Sequence, residues 1–207
     1  MVNFLLLLEK IVKYSKKQID KGKTPQIIYE LCSCIRETFC LSYSIRKDNN
    51  LYLYFKEENL LLSFIGKELR YVGPDERSQA LLLLKALEKG INIIPLAEAR
   101  MIKSTPGIYC IKFLEERSLY NYLNTKIDGK FYFLINNTKL IKNETELEIK
   151  GENNLYIIPT FTILPEKSEF NLGFRDIKKI NFLSLSKIKS IENKILYINF
   201  RKDQQEI

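Results

Sequence analysis

The sequence predicts an α/β fold built on a largely parallel sheet, and three observations carry that expectation. Apolar runs of strand length, such as "VNFLLLL" (Val2–Leu8) and "GKFYFLI" (Gly129–Ile135), alternate with segments whose apolar residues recur at spacings of three and four. The runs are nearly unbroken, which suits strands covered on both faces. Asn, Gly and Pro bound them, as expected of turn residues. No repeat, low-complexity tract or interdomain linker interrupts the 207 residues, so they read as one domain, 1–207.

Each element follows in order. Val2–Leu8 is expected to be a buried first strand, and Glu9–Pro25, polar and strongly basic, a surface loop or short helix. Gln26–Cys40 reads as a helix, with Ile27, Leu31, Cys34, Ile35 and Thr38 on one face. "NLYLYF" (Asn50–Phe55) and "NLLLSFIG" (Asn59–Gly66) flank a polar turn and are expected to pair. "GPDERSQALLLLKALEKG" (Gly73–Gly90) is a helix in which Gly73 is the expected cap and Pro74 the first residue. Asp75 and Glu76 then meet the positive end of the helix dipole, and Gly90 is the expected left-handed terminator. Its leucines cover most of the circumference, so it should be buried on more than one side. "STPGIYCIKF" (Ser104–Phe113) brings a Pro-Gly turn into a strand, and Leu114–Asn124 reads as a helix. Gly129–Ile135, Asn153–Pro159 and Ile180–Leu185 are further strands, Phe174–Lys179 a short helix, and Asn193–Phe200 a last apolar segment. Asn136–Asn154 is the most polar internal stretch and the expected surface excursion.

Composition narrows the function. Hydrophobic residues make up 45% of the chain, enough for a core. A mean hydropathy of −0.17 with 28% charged residues excludes an integral membrane protein. Val2–Leu8 falls far below the ~20 residues that cross a bilayer and lacks the features of a signal peptide, so a cytoplasmic location is expected. The formal charge of +8 favours polyanionic partners, nucleic acid first. The chain has no histidine, which removes Ser-His-Asp and Cys-His chemistry and leaves Asp, Glu, Lys, Tyr or Cys for proton transfer. Cys32 and Cys34 are two apart on a predicted helix and point roughly opposite ways. With Cys40 and Cys110 they form no zinc set, and structural packing of reduced thiols is expected, with no metal.

No phosphate loop, GxGxxG, GxSxG or HExxH is present. Aromatic and basic residues interleave in "SYSIRKDNNLYLYFK" and "EERSLYNY", a pattern that can stack RNA bases and meet phosphates, although strand tyrosines such as Tyr52 and Tyr54 also serve sheet packing.

Four stretches taken together are more specific: "LCSCIRETFCLSYSIRKD" (Leu31–Asp48), "FIGKELRYVGPDERSQALLLLKAL" (Phe64–Leu87), "KSTPGIYCIKF" (Lys103–Phe113) and "INFLSLSKIK" (Ile180–Lys189). In order and spacing they resemble the archaeal tRNA pseudouridine-54 N1-methyltransferases of the knotted SPOUT superfamily. The resemblance covers most of the chain and is strongest from Leu31 to Phe113. It implies a SPOUT-like α/β domain with a mostly parallel sheet, helices on both faces and a C-terminal trefoil knot, in a homodimer. S-adenosylmethionine would be the cofactor and the T-loop of tRNA the substrate, methylated at N1 of a pseudouridine.

Carried over position by position, the resemblance implies cofactor binding by Leu134, Pro159, Leu183, Ser184, Leu185, Ser186 and Ile188. It implies RNA contacts at Arg36, Arg46, Lys47 and Arg77. Pro159, Thr160 and Phe161 stand where the family has Gly followed by Asp and His, and the family's Cys falls near Lys194 or Ile195. Ile27, Ile28, Tyr29 and Glu30 replace R-L-D-L, so the Arg and Asp expected at the target base are absent and no catalytic residue is assigned. Two readings follow. One is an active tRNA methyltransferase. The other is a catalytically degenerate homologue that keeps the scaffold and serves as an RNA-binding or dimeric scaffold protein.

Overall fold

The computed structural model describes residues 1–95, 100–135, 153–160 and 180–205. Its elements are β1 (Val2–Leu8), α1 (Lys16–Asp20), α2 (Gln26–Phe39), β2 (Asn49–Phe55), β3 (Leu60–Ile65), α3 (Glu76–Ile91), β4 (Ile102–Thr105), β5 (Ile108–Lys112), α4 (Glu116–Lys126), β6 (Phe131–Ile135), β7 (Asn154–Pro159), β8 (Ile180–Ser184) and α5 (Ile191–Gln205). The expected helix at Phe174–Lys179 and most of the excursion from Asn136 lie outside the described residues.

Eight strands form one sheet in the order β4-β5-β3-β2-β1-β7-β6-β8. β2, β1, β7, β6 and β8 run parallel. β3, β5 and β4 add an antiparallel wing. That wing departs from the simplest α/β pattern because Lys56–Asn59 and Pro106–Gly107 are tight turns, which can join only antiparallel strands.

The unbroken apolar strands are explained by helices on both faces. Along β1, Phe4, Leu6 and Leu8 join a core with α1, α2, α3 and α5. Leu5 and Leu7 point the other way, into a core closed by Leu119, Tyr120 and Leu123 of α4. Tyr52 and Tyr54 are buried in that second core, so sheet packing accounts for them.

Two details of α3 correct the expectation. Its cap is Asp75 rather than Gly73: the Asp75 carboxylate accepts from Ser78 N at 2.8 Å and from the Ser78 hydroxyl at 2.6 Å. A side-chain acceptor satisfies an orphan helix donor, which Gly73 cannot do. Gly90 is not a terminator but an interior residue of the helix. A Cβ there would lie 2.8 Å from Leu60 Cδ2, so glycine allows α3 to approach β3 closely. Gly107 does use glycine's conformational freedom: φ is +80°, and a Cβ would lie 2.5 Å from Leu69 N. "STPGIY" is therefore, first, a hairpin turn seated on the Gly66–Leu69 backbone.

Polar side chains close the amino-terminal edge of the parallel strands. Asn50 Nδ2 donates to Asn3 Oδ1 at 2.9 Å, and Asn3 Nδ2 donates to Asn153 Oδ1 at 2.7 Å. Asn49 Nδ2 donates to Asn199 Oδ1 at 2.8 Å, and Asn199 Nδ2 donates to Glu37 O at 2.8 Å, tying α5 to α2 and β2.

A candidate cofactor cleft at three strand ends

β1, α2 and β2 form a parallel strand–helix–strand unit, which fixes the two ends of the sheet. Ligand sites in open α/β sheets lie outside the carboxyl ends of the strands, where the connections leave. Here β7, β6 and β8 are adjacent, and their carboxyl ends carry Pro159, Leu134 and Leu183–Ser184. The structure thus brings together the residues that the sequence placed in three separate loops.

The ladders show how these ends are arranged. β6 stays paired with β8 through Leu134–Leu183 and Ile135–Ser184, but its ladder with β7 stops at Phe133–Ile157. Beyond that point Pro159 has no N–H to offer a ladder. The next residue turns to the opposite neighbour: Thr160 N donates to Leu7 O at 3.1 Å, and the Thr160 hydroxyl donates to the same oxygen. Pro159 is half-buried and continuous with β7, paired with Leu7 of β1. The β6–β7 ladder therefore ends two residues short of the carboxyl end of β6.

Leu134, Leu183 and Leu185 are buried in the core, so their side chains anchor the edge. Ile188 N donates to Leu185 O at 3.0 Å, closing a turn through Ser186 ahead of α5. Ser184 is different. It is 2% exposed, and its hydroxyl has no hydrogen-bond partner among the described residues. A buried unpaired hydroxyl costs about 1–3 kcal/mol, and a polar ligand could relieve that cost. Such a donor and acceptor beside anchored main chain fits the polar groups of S-adenosylmethionine.

Around the edge, Lys194 is buried on the first turn of α5, and burial pushes its amine below the ordinary lysine value. Ile195 is a core residue. In the first turn of α2, where the resemblance expects Arg and Asp, Ile28 is buried and Tyr29 exposed, while Glu30 accepts from Gln26 Nε2 at 3.0 Å.

The proposed RNA residues do not lie together. Arg46 and Lys47 precede β2, so they sit at the amino-terminal edge; the six residue steps of β1 and β2 separate the two edges by about 20 Å. Arg46 makes a two-pronged ion pair with Asp203, both contacts at 2.6 Å. Lys47 Nζ donates to Leu69 O at 2.6 Å. Arg36, in the last turn of α2, pairs with Glu37 at 3.0 Å. Arg77 pairs with Asp20 of α1 at 2.6 Å, on the surface. Arg46 and Lys47 therefore have structural work to do, which no residue pattern would reveal because their partners are distant in sequence.

All four cysteines are free. Burial pushes the Cys32 thiol up to about 12 and Cys110 up to about 11, leaving both unreactive at neutral pH.

A family described as "Putative SAM-dependent RNA methyltransferase" matches residues 26–189, a span that includes all three strand ends. The chain is 32% identical over 172 residues to the tRNA (pseudouridine(54)-N(1))-methyltransferase of Methanocaldococcus jannaschii, covering 81% of this chain and 78% of that one. It is 26% identical over 178 residues to the enzyme of the same name from Methanocella arvoryzae, covering 84% of each. A shorter match to the Haloferax volcanii enzyme reaches 42% identity over 78 residues, 38% of this chain and 37% of that one. The match runs through the cleft as well as the scaffold, and the chain belongs to this family of S-adenosylmethionine-dependent RNA methyltransferases.

Proposed function

We propose that this protein methylates N1 of a T-loop pseudouridine in tRNA, at the cleft formed by the carboxyl ends of β7, β6 and β8. The observation that carries the reading is the coincidence of three things at one edge: the early end of the β6–β7 ladder, a buried Ser184 hydroxyl with no partner among the described residues, and the family match. The relatives' names supply the substrate. Leu134, Pro159, Leu183, Ser184, Leu185, Ser186 and Ile188 would hold the cofactor, whose sulfonium supplies an electrophilic methyl group. The residues of the cleft chiefly orient, because holding donor and base in register removes much of the barrier.

The SPOUT class, a trefoil knot and a single catalytic domain over 1–207 belong to the same proposal, as does a cytoplasmic location alongside the tRNA. The sheet order supports a crossing connection, since β8 lies on the far side of β6 from β7. Homodimerisation is also proposed: light scattering after gel filtration should give twice the 24.4 kDa of the chain, and a monomer mass would contradict it. Among the described residues, no helix is long and apolar enough to cross a membrane, and no cluster of three His, Cys, Asp or Glu side chains forms a metal site.

Calorimetric titration with S-adenosylmethionine tests the cleft. Saturable heat is expected, and none at millimolar cofactor would sink the reading.

A further inference from the structure

We propose that the connection between β1 and α2 is the surface that grips the phosphate backbone of the RNA. The proposal rests on the RNA methyltransferase reading and names the part of the chain that meets the substrate's charge. Lys10, Lys13, Lys16, Lys17, Lys21 and Lys23 lie within this connection, and all six are exposed. None of the six has an ion pair among the described residues. By contrast, Arg46 and Lys47 are already engaged by Asp203 and by Leu69 O.

Position favours the same segment. In a parallel strand–helix–strand unit, the connection from strand to helix lies at the carboxyl edge, here beside Leu7 and its partner Pro159. Arg46 and Lys47 lie at the other edge.

The lysines are also held on a fixed support. Ile11 N donates to the Glu58 carboxylate at 3.2 Å, and Tyr14 OH donates to Ala80 O at 2.7 Å. Ser15 and Gln18 form a capping box at α1, and Ile19 is buried against the core. The connection holds only two acids, Glu9 and Asp20, and Arg77 pairs with Asp20. Arg77 thus reduces the negative charge within the basic surface. Exposed lysines with no partner, on a pinned backbone, suit repeated contacts to phosphates that carry no sequence information.

The test compares two triple variants of the whole protein with the wild type. One replaces Lys13, Lys17 and Lys21 by Gln. The control replaces Lys67, Lys85 and Lys103, which are also exposed but lie outside this connection. Binding of a fluorescent tRNA is measured across a salt series, with S-adenosylmethionine titration and thermal melting as checks on cofactor binding and folding. The first variant should lose about two units of the log-affinity against log-salt slope, and roughly a hundredfold in affinity at 0.1 M salt. The control should match the wild type, and cofactor binding should be unchanged in both. Wild-type affinity and slope in the first variant would overturn the proposal. So would loss of binding to anionic lipid vesicles with tRNA binding intact, which would assign the lysines to a membrane surface. A wild-type protein that binds tRNA through these lysines but transfers no methyl group would overturn the methyltransferase reading and leave this surface standing.

Discussion

At the scale of single residues, Ser184 and Asp75 show how one polar atom can be read in opposite ways. The Ser184 hydroxyl is buried and has no partner among the described residues, so in the ligand-free protein its removal should be neutral or mildly stabilising, by up to about 1 kcal/mol. If it meets the cofactor, Ser184→Ala should also reduce the rise in melting temperature that S-adenosylmethionine produces. Thermal shift with and without cofactor separates these effects; an undiminished rise would remove Ser184 from the site. Asp75 is paired and exposed. The Ser78 hydroxyl and then the Ser78 amide hold its carboxyl below the usual carboxylate value. A depressed acid contributes stability that is complete above its unfolded value, about 3.9, and is lost as pH falls through the lower folded value. Asp75→Ala should therefore cost about 1 kcal/mol at pH 7 in urea unfolding, and the difference should fade in acid below pH 4. A penalty of equal size at pH 2 would show that the carboxylate is not what matters. The sequence exposed the carboxylates at the start of this helix, but not which residue caps it. That choice depends on the Ser78 partner and on Gln79 Nε2 taking Gly73 O at 2.7 Å.

At the scale of elements, the order of strands and helices was legible because apolar period and turn residues act locally. Val2–Leu8, the pair Asn50–Phe55 and Asn59–Gly66, and the helix Gln26–Cys40 all form, within a residue or so at their ends. Long-range polar ties were not legible. Asn199 meets Glu37 and Asn49, more than 100 residues away, and nothing in "NKILYINF" marks one asparagine as a strut. Asn199→Ala should leave Asn49 Nδ2 and Glu37 O short of a partner and cost about 2 kcal/mol, read as a lower urea midpoint at unchanged slope. Gly107 gives a sharper element-scale prediction. Gly107→Ala meets both positive φ and backbone 2.5 Å away, and should cost more than about 2 kcal/mol, whereas Gly22→Ala meets positive φ alone and should cost less.

At the scale of the molecule, fold class, charge and family resemblance all lead to one sheet edge. The residues proposed to hold the cofactor come from the resemblance, and the sheet sets Pro159, Leu134 and Leu183–Ser184 side by side because β7, β6 and β8 are neighbours. Of the basic residues that the resemblance offers, the sheet separates Arg46 and Lys47 from that cleft because they open a strand rather than close one, whereas Arg77 pairs with Asp20 in the β1–α2 connection. The lysines of the β1–α2 connection looked like a solvated surface in sequence; only the direction of the strand–helix–strand unit gives them a place beside the cleft. The missing Arg and Asp at Ile27–Glu30 make activity the central question. The most direct measurement is transfer of a tritiated methyl group from S-adenosylmethionine to two tRNA substrates that differ only in uridine or pseudouridine at the T-loop position. Tritium entering the pseudouridine tRNA alone, at the N1 position on nucleoside analysis, is the predicted result. Bound cofactor with no transfer to either RNA would contradict it.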